Sequence, residues 1–251
     1  MSYRLQVQPE ILTRHPDYVV VVVYASNLTN RARDEESIAA LREAESHARK
    51  CFGAEKASSH PHIAAWREAF SSFGAKPSRY PCSVEALLSR VFKGQELPAI
   101  NALVDLYNAV SIRHVLPVGG EDLDQLTSDL WLRYADGTEP FDSDGAAEGE
   151  ATFPEPGEVI WVDSTGVTCR RWNWRQGHRT RLTTDTRSAY FVLDRLAPYS
   201  LDDLYSARDE LISSILTVSP DAEITIDEID QNTVREQWNR HEQAQGPEEG
   251  S

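Results

Sequence analysis

The sequence predicts a mixed α/β fold of the α+β type, in which a single domain holds a central mixed β-sheet flanked by helices. Three observations support this prediction. The 251 residues are 40% hydrophobic, enough for one large core. A continuous apolar run at residues 18–25 has the composition of a strand buried on both faces. Stretches of helical period dominate the first half of the chain, and alternating stretches dominate the second.

Each element follows from its own local signals. Apolar periodicity, together with capping residues, prolines and glycines, predicts helices at residues 33–51, 59–74, 83–94, 100–114 and 201–216. Short β-branched or alternating runs predict strands at residues 18–25, 129–134, 158–162, 167–170, 188–194 and 223–226. Two prolines make residues 76–81 a rigid loop, and a segment rich in Gly, Ala and Glu makes residues 142–158 a mobile acidic one.

The domain is expected to occupy residues 1–220. Residues 221–251 are expected to form an acidic C-terminal extension with one possible strand. This extension is expected to be disordered past about Arg240, because it is polar and strongly charged there.

Composition limits the classes of function. The net charge is −15 and the pI is near 4.9, so the average surface repels DNA and other polyanions, which can bind only at a local basic patch. The three cysteines, Cys51, Cys82 and Cys169, are far apart, and no Cys/His cluster has the spacing of a zinc site. With no apolar run of signal-peptide or membrane-spanning length, we expect a reduced, cytoplasmic protein that neither enters a membrane nor uses a metal or cofactor.

The predicted helix at residues 100–114 carries a polar stripe on an otherwise apolar surface. Asn101, Asp105 and Asn108 recur at helical spacing and share one face. Each unpaired buried polar group costs about 1–3 kcal/mol, so the stripe must find hydrogen-bond partners. It either forms a network that fixes the adjoining loop, with an Asn near the helix start, or it faces a ligand.

A pair of glycines follows this helix in the segment LPVGGED, residues 116–122. Adjacent glycines let backbone N–H groups approach a ligand, and the acids after them can bind an amino group or position a water. The same composition is typical of an ordinary turn leading into a helix, and both interpretations remain open from the residues alone.

Residues 170–181, RRWNWRQGHRTR, contain five arginines, two tryptophans and no acid. Tryptophan and arginine side chains can stack on bases and pair with phosphates, which suits single-stranded nucleic acid. Alternatively, the tryptophans belong to the core and the arginines balance nearby acids. If the strand before them continues, Trp172 and Trp174 share one face and Asn173 lies on the other. Nucleophile-elbow, phosphate-loop and dinucleotide-binding motifs are absent, which disfavours covalent hydrolysis.

Four ordered motifs resemble those of the free-standing B3/B4 domain proteins, relatives of the B3/B4 editing domain in the phenylalanyl-tRNA synthetase β subunit. They are KPSRY with SVEALL (residues 76–88), LPxINxxVDxxN (97–108), LPVGGEDL (116–123) and CRRWNWR (169–175). The resemblance covers roughly Phe70 to Asp194. It implies a mixed α/β domain whose pocket hydrolyses the ester between a wrong amino acid and the terminal adenosine of tRNA.

The resemblance implies that the helix at residues 100–108 lines the pocket, and the chemistry of the neighbouring residues supplies the other candidates. Glu121 and Asp105 are candidate catalytic residues that position water, with the Gly119 and Gly120 backbone as candidate oxyanion donors. The candidate substrate-binding residues are Lys76, Ser78, Arg79, Tyr80, Asn101, Asn108, Gly119, Gly120, Trp172, Asn173 and Trp174. The candidate rim for the 3′ end of an aminoacylated tRNA consists of Arg170, Arg171, Arg175, Arg179 and Arg181.

The chain departs from the synthetase pattern at two places. Residues 116–122 replace the segment that carries the synthetases' pocket histidine, and residues 172–178 replace the glycine-rich loop that carries their pocket glutamate. Two functions therefore follow. The first is a stand-alone editing hydrolase that deacylates mischarged aminoacyl-tRNA in trans. The second is a non-catalytic module of the same fold that binds an amino acid or tRNA.

Overall fold

The computed structural model describes residues 3–53, 56–142 and 153–235. It confirms a mixed α+β fold, and it divides the strands between two sheets rather than one. Most of the predicted mobile loop (residues 143–152) and the predicted disordered end (residues 236–251) lie outside the described residues. No helix in the described part of the chain is long and apolar enough to cross a membrane.

The described residues include the helices α1 (Pro9–Arg14), α2 (Glu35–Phe52), α3 (Pro61–Ser72), α4 (Ser83–Phe92), α5 (Ala102–His114) and α6 (Leu201–Val218). The strands are β1 (Leu5–Val7), β2 (Val19–Ser26), β3 (Val118–Asp122), β4 (Leu130–Tyr134), β5 (Val159–Val162), β6 (Val167–Arg170), β7 (Arg175–Gln176), β8 (Ala189–Arg195) and β9 (Glu223–Ile229). The sequence patterns identified α2 to α6 and most of the longer strands, but not α1, β1, β3 or β7.

Strand β2 is central to the four-stranded antiparallel sheet, whose order is β3-β8-β2-β9. Successive side chains of a strand point to opposite faces. Val20 and Val22 therefore join the larger core, together with the other sheet and α2 to α4, whereas Val21 and Val23 pack with residues of α5 and α6. Burial on both faces explains the continuous valine run and confirms the prediction for residues 18–25.

The second sheet is mixed and has the order β1-β4-β5-β6-β7, with β1 parallel to β4 and the remaining pairs antiparallel. Leu130 and Trp161 of this sheet share the larger core with the even-numbered valines of β2. A direct bond also joins the two sheets, because the backbone N–H of Leu5 donates to Tyr24 Oη over 3.0 Å. The two sheets thus enclose a common apolar layer.

Strand β9 corrects the expected domain boundary at residue 220. It lies within the segment assigned to the extension, yet it pairs with β2 over seven positions, from Ser26 opposite Glu223 to Val20 opposite Ile229. Ile229 is 7% exposed and belongs to the core. The domain therefore includes residues 223–229, because this segment completes the edge of the sheet.

The Gly119-Gly120 pair lies in β3, which is an edge strand and not a turn leading into a helix. Gly120 stands opposite Phe191 of β8, and a Cβ atom built on Gly120 falls 2.6 Å from the ring of Phe191. Gly120 is therefore required by close packing within the sheet. A Cβ on Gly119 meets only an ordinary contact at 3.8 Å.

These two glycines provide a matched test of that packing. Gly120→Ala is expected to lower the free energy of unfolding by about 1–3 kcal/mol, because the new methyl group overlaps the Phe191 ring. Gly119→Ala should leave it unchanged or raise it slightly, because alanine restricts the unfolded chain. Urea unfolding of both variants measures the difference, and equal values would contradict the packing argument.

Candidate functional site

A cavity of about 270 Å³ lies where the two sheets meet. Residues of α4, α5, β3, β5, β6 and β8 surround it, and the turn between β6 and β7 closes one side. The aromatic walls are Tyr107, Trp161, Trp172, Trp174 and Tyr190. Asn108, Glu121, Asn173 and Asp194 are among its polar lining residues. It is the shape and polarity of a site for a small, largely apolar ligand with a few polar groups.

Glu121 of β3 is one of two buried carboxyl groups in this cavity. It is 6% exposed, and Tyr190 Oη donates a hydrogen bond to its Oε2. Burial raises the pKa of Glu121, and the bond from Tyr190 opposes that rise. Glu121, Asn108, Gly119, Gly120, Trp172, Asn173 and Trp174 are the predicted catalytic and substrate-binding residues that border the cavity.

Asp194 of β8 is the second buried carboxyl group, and it was not among the predicted site residues. It is 1% exposed, and it accepts from Tyr18 Oη at 2.6 Å and from Asn173 Nδ2 at 3.2 Å. Burial raises its pKa to about 6. The sequence did contain a signal, because strand alternation puts Tyr190, Val192 and Asp194 on one face, and a carboxylate is unusual in such an apolar strand.

The cavity borders the outer edge of β3, the side away from β8, which residues 176–182 partly cover. Asp122 N donates to Thr180 O over 2.8 Å on this edge, and Gly120 O accepts from Gln176 Nε2 over 3.0 Å. Backbone groups alternate sides along an antiparallel strand, so the Gly120 N–H points to the same edge and the Gly119 N–H points toward β8. Of the two predicted oxyanion donors, only the Gly120 N–H lies on the side of the strand away from β8.

Residues 171–174 form a turn rather than a continued strand. Arg171 and Trp172 have φ values of 46° and 65°, which non-glycine residues seldom adopt. Trp172 N donates to Val159 O over 2.7 Å, and its ring is fully buried, 4.8 Å from that of Tyr18 and 5.2 Å from that of Trp66. Trp172 and Trp174 therefore do not share one strand face, as an uninterrupted strand would require.

Arg170 and Arg171 are buried and cannot form the predicted rim. Each is 6% exposed. Arg170 donates from Nε and Nη2 to the two oxygens of Glu158 over 2.9 and 2.8 Å, and Arg171 Nη2 lies 3.3 Å from the same carboxylate. The arginines are buried because Glu158, at 2% exposure, provides the opposite charge.

The other three predicted rim arginines differ from one another. Arg179 forms a two-pronged ion pair with Asp163 over 2.7 and 3.0 Å, so its guanidinium is committed within the protein. Arg175 lines the cavity, and Arg181 is exposed opposite Glu121 of β3. Arg175 therefore lies beside the cavity, and Arg181 lies beside the outer edge of β3.

The predicted substrate segment KPSRY lies outside the cavity, next to its mouth. The guanidinium of Arg171 lies 3.7 Å from the ring centre of Tyr80 and 4.5 Å from that of Trp174. We call these three residues the Arg171 stack; through Trp174 it borders the cavity. Lys76, Ser78 and Arg79 are exposed beside it. They are not among the residues that line the cavity, so their predicted substrate-binding role would apply outside it.

Asn101 and Asp105 do not border the cavity, which corrects their predicted roles there. Asn101 Oδ1 caps α5 by accepting from Val104 N over 3.1 Å. Asp105 is fully buried and accepts from Ile100 N over 2.8 Å, and burial raises its pKa. These two residues form the hydrogen bonds that fix the helix start, and of the stripe only Asn108 borders the cavity.

Ser83 lines the cavity but was not among the predicted site residues. It lies at the start of α4, and its backbone N–H donates to Asn173 O over 3.0 Å, which connects the turn to the helix. The described residues contain no group of three or more His, Cys, Asp or Glu side chains placed to hold a metal ion.

Comparison with known proteins identifies relatives of this fold. The family described as the B3/4 domain matches residues 65–210. Among solved structures, an N-terminal fragment of the phenylalanyl-tRNA synthetase β subunit from Pyrococcus horikoshii is similar, with 13% identity and a TM-score of 0.43, over 95% of this chain and 60% of that chain. This chain thus covers less than two thirds of that fragment. No curated protein shows a significant sequence match.

The buried ion pair predicts a large effect of neutralising Glu158. Glu158→Gln is expected to lower the free energy of unfolding by about 3–5 kcal/mol, because it removes the buried negative charge that both arginines contact. Glu155→Gln, an exposed acid in the same segment, should change it by less than about 0.5 kcal/mol. Chemical denaturation measures both, and a mild effect at Glu158 would show that the arginines have other partners.

Asp194 predicts a pH dependence of stability with a definite sign. Its pKa in the folded protein, about 6, exceeds its ordinary value of 3.8, so the folded state binds the proton more tightly. Stability due to this group is complete below pH 3.8 and is lost as the pH rises through 6, by about 3 kcal/mol in total.

Asp194→Asn removes this titration. As the pH rises from about 4 to about 6, the wild type should therefore lose unfolding free energy relative to Asp194→Asn. Above about pH 7 the difference between the two proteins should be constant. Urea unfolding of both proteins at each pH cancels the other titrating groups. A pH-independent difference would rule out the raised pKa.

Proposed function

The chain belongs to the B3/4 domain family, and from that premise we propose that it is a stand-alone hydrolase that deacylates mischarged aminoacyl-tRNA in trans. The observation that carries the proposal is the cavity itself, in which buried Glu121 and the outward-directed N–H of Gly120 lie on one strand beside an apolar, aromatic chamber. This arrangement combines a water-positioning group, an oxyanion donor and a side-chain site.

The size of the cavity supports an aminoacyl group as its occupant. Its volume of about 270 Å³ lies just below the about 300–1,000 Å³ that is typical of sites for drug-sized ligands. An amino acid fits such a space, whereas an amino acid together with its adenosine does not. The ribose and the preceding nucleotides therefore lie at the mouth, outside the aromatic walls.

Ester hydrolysis requires little of the protein, because an aminoacyl ester is already activated. Glu121 accepts a proton from a water whose oxygen attacks the ester carbonyl carbon, and the Gly120 N–H donates to the oxyanion that forms. When the C–O bond to the ribose breaks, the same proton passes to the leaving ribose oxygen. Burial raises the pKa of Glu121. One carboxyl group serves both transfers, because the proton that it accepts from the water is the one that it returns to the ribose oxygen.

The Arg171 stack supports an RNA strand at the mouth of the cavity. Tyr80 and Trp174 are partly exposed, which leaves aromatic surface for a terminal base, and Lys76 and Arg79 are exposed cations for phosphates. The rest of the chain is strongly acidic, so this contact is weak and weakens further with salt. The 3′ end of an aminoacylated tRNA has the single strand that such a surface accommodates.

Deacylation of mischarged tRNA tests the proposal. At least one ester in a panel of mischarged aminoacyl-tRNAs should be cleaved faster than in buffer. Glu121→Gln should lower kcat/KM by about 100-fold or more, because it removes the proton acceptor. Asp124→Asn, an exposed acid just after β3, is the matched control and should leave the rate unchanged.

A second candidate is binding without cleavage, and a specific contact favours it. The carboxylate of Glu121 already accepts a hydrogen bond from Tyr190, which competes with a catalytic water. Under this alternative, a non-hydrolysable aminoacyl-adenosine analogue raises the melting temperature of the protein while no ester in the panel is cleaved. If the analogue does not raise the melting temperature and no ester is cleaved, both proposed functions are contradicted.

A further inference from the structure

Asp194 is a buried carboxylate without a counter-charge. It borders the cavity and is 1% exposed. In the described part of the chain it pairs with no lysine, arginine or histidine, and its hydrogen-bond donors are the uncharged groups Tyr18 Oη and Asn173 Nδ2. An ionised carboxylate in such surroundings is costly unless a cation joins it, so the site is incomplete without a positively charged partner.

The hydrogen-bonding capacity of Asp194 is only partly used. An ionised carboxylate offers about four lone-pair positions, and each oxygen of Asp194 accepts one bond, from Tyr18 on Oδ1 and from Asn173 on Oδ2. Both oxygens therefore retain an acceptor position. The remaining positions suit a group that carries several N–H donors.

Asn173 adds a second unused acceptor next to Asp194. Its amide nitrogen donates to Asp194, which fixes the orientation of the amide, and its Oδ1 is buried without a hydrogen-bond partner. A buried acceptor left unpaired costs about 1–3 kcal/mol. Asn173 lies in the strained turn that closes the cavity, so a ligand in the cavity is positioned to satisfy this oxygen.

The chemistry of the acceptors selects the cation. A divalent metal ion needs several hard oxygen ligands around it, and the described residues provide no such cluster. A primary ammonium group needs only three acceptors, at carboxylate and amide oxygens, and it tolerates aromatic walls such as Trp172 and Trp174.

We propose that Asp194 and Asn173 Oδ1 form the binding site for the α-ammonium group of the aminoacyl ligand. This inference rests on the proposed function for the identity of the ligand. It makes Asp194 a specificity residue: an ester with a free α-amine is accepted, and an N-acylated ester, such as a peptidyl or formylated one, is rejected because it brings no charge and adds bulk.

A thermodynamic cycle between protein and ligand isolates this contact. The probes are 3′-amino-3′-deoxyadenosine carrying a phenylalanyl, alanyl or seryl group in amide linkage, which resists hydrolysis, and the N-acetyl form of each. Their dissociation constants are measured by calorimetry with the wild type, Asp194→Asn and the control Asp124→Asn. Acetylation should weaken binding by about tenfold or more in the wild type and the control, and by less than about twofold in Asp194→Asn.

Asn173→Ala provides an independent arm if Asp194→Asn does not fold. Asn173 lies in a turn and is only partly buried, and loss of its Oδ1 should reduce the acetylation penalty by about threefold or more. An equal penalty in the wild type and in the variants, or no binding of any free-amine probe, overturns the inference. If the acetylation penalty depends on Asp194 but no ester is cleaved, the ammonium site is supported and the hydrolase function is contradicted. If esters are cleaved but the penalty does not depend on Asp194, the hydrolase function is supported and the ammonium site is contradicted.

Discussion

The buried ion pair between Glu158 and two successive arginines holds the candidate site in its shape. Arg171 and Trp172 adopt positive φ angles, each of which costs of order 1–3 kcal/mol. The turn persists because Glu158 accepts from the guanidinium of Arg170 and from the backbone N–H of Arg171 over 3.2 Å. With the turn fixed, Trp172 points into the core and Asn173 lies against Asp194. The shape of the cavity therefore depends on the Glu158 carboxylate, which does not itself line the cavity.

The sequence predicted individual helices and strands better than it predicted which strands pair with each other. The valine run that forms β2 and the amphipathic pattern of α2 carry their information within a few residues, and both elements form where expected. The division into two sheets depends instead on β1 pairing with β4 and β9 with β2, across more than 100 and 190 residues respectively. The strand β3 was missed for a different reason. Its glycines suggest a turn locally, and only the Phe191 ring across the sheet explains them.

The candidate site was predicted in part, because a pattern gives the composition of a face but not what lies opposite. Helical spacing correctly grouped Asn101, Asp105 and Asn108, yet only Asn108 reaches the cavity. The arginines of residues 170–171 had the composition of a nucleic-acid surface, and the acid that buries them lies in a segment predicted to be a mobile loop. Asp194 was missed because its importance lies in its having no ion pair with the described residues, which depends on tertiary structure.

Under the proposed function, an acidic chain must bind a polyanion, and the site meets this difficulty by separating charges along the ligand. The carboxyl groups of Glu121 and Asp194 lie inside the cavity, where only the amine end of the ligand reaches them. The exposed cations Lys76 and Arg79 lie at the mouth, where the phosphates arrive. At physiological salt the repulsion from distant acids is screened beyond about 8 Å, so only these neighbours act on the RNA. Because that contact is weak, most of the binding energy arises in the cavity, and discrimination acts on the amino acid more than on the tRNA.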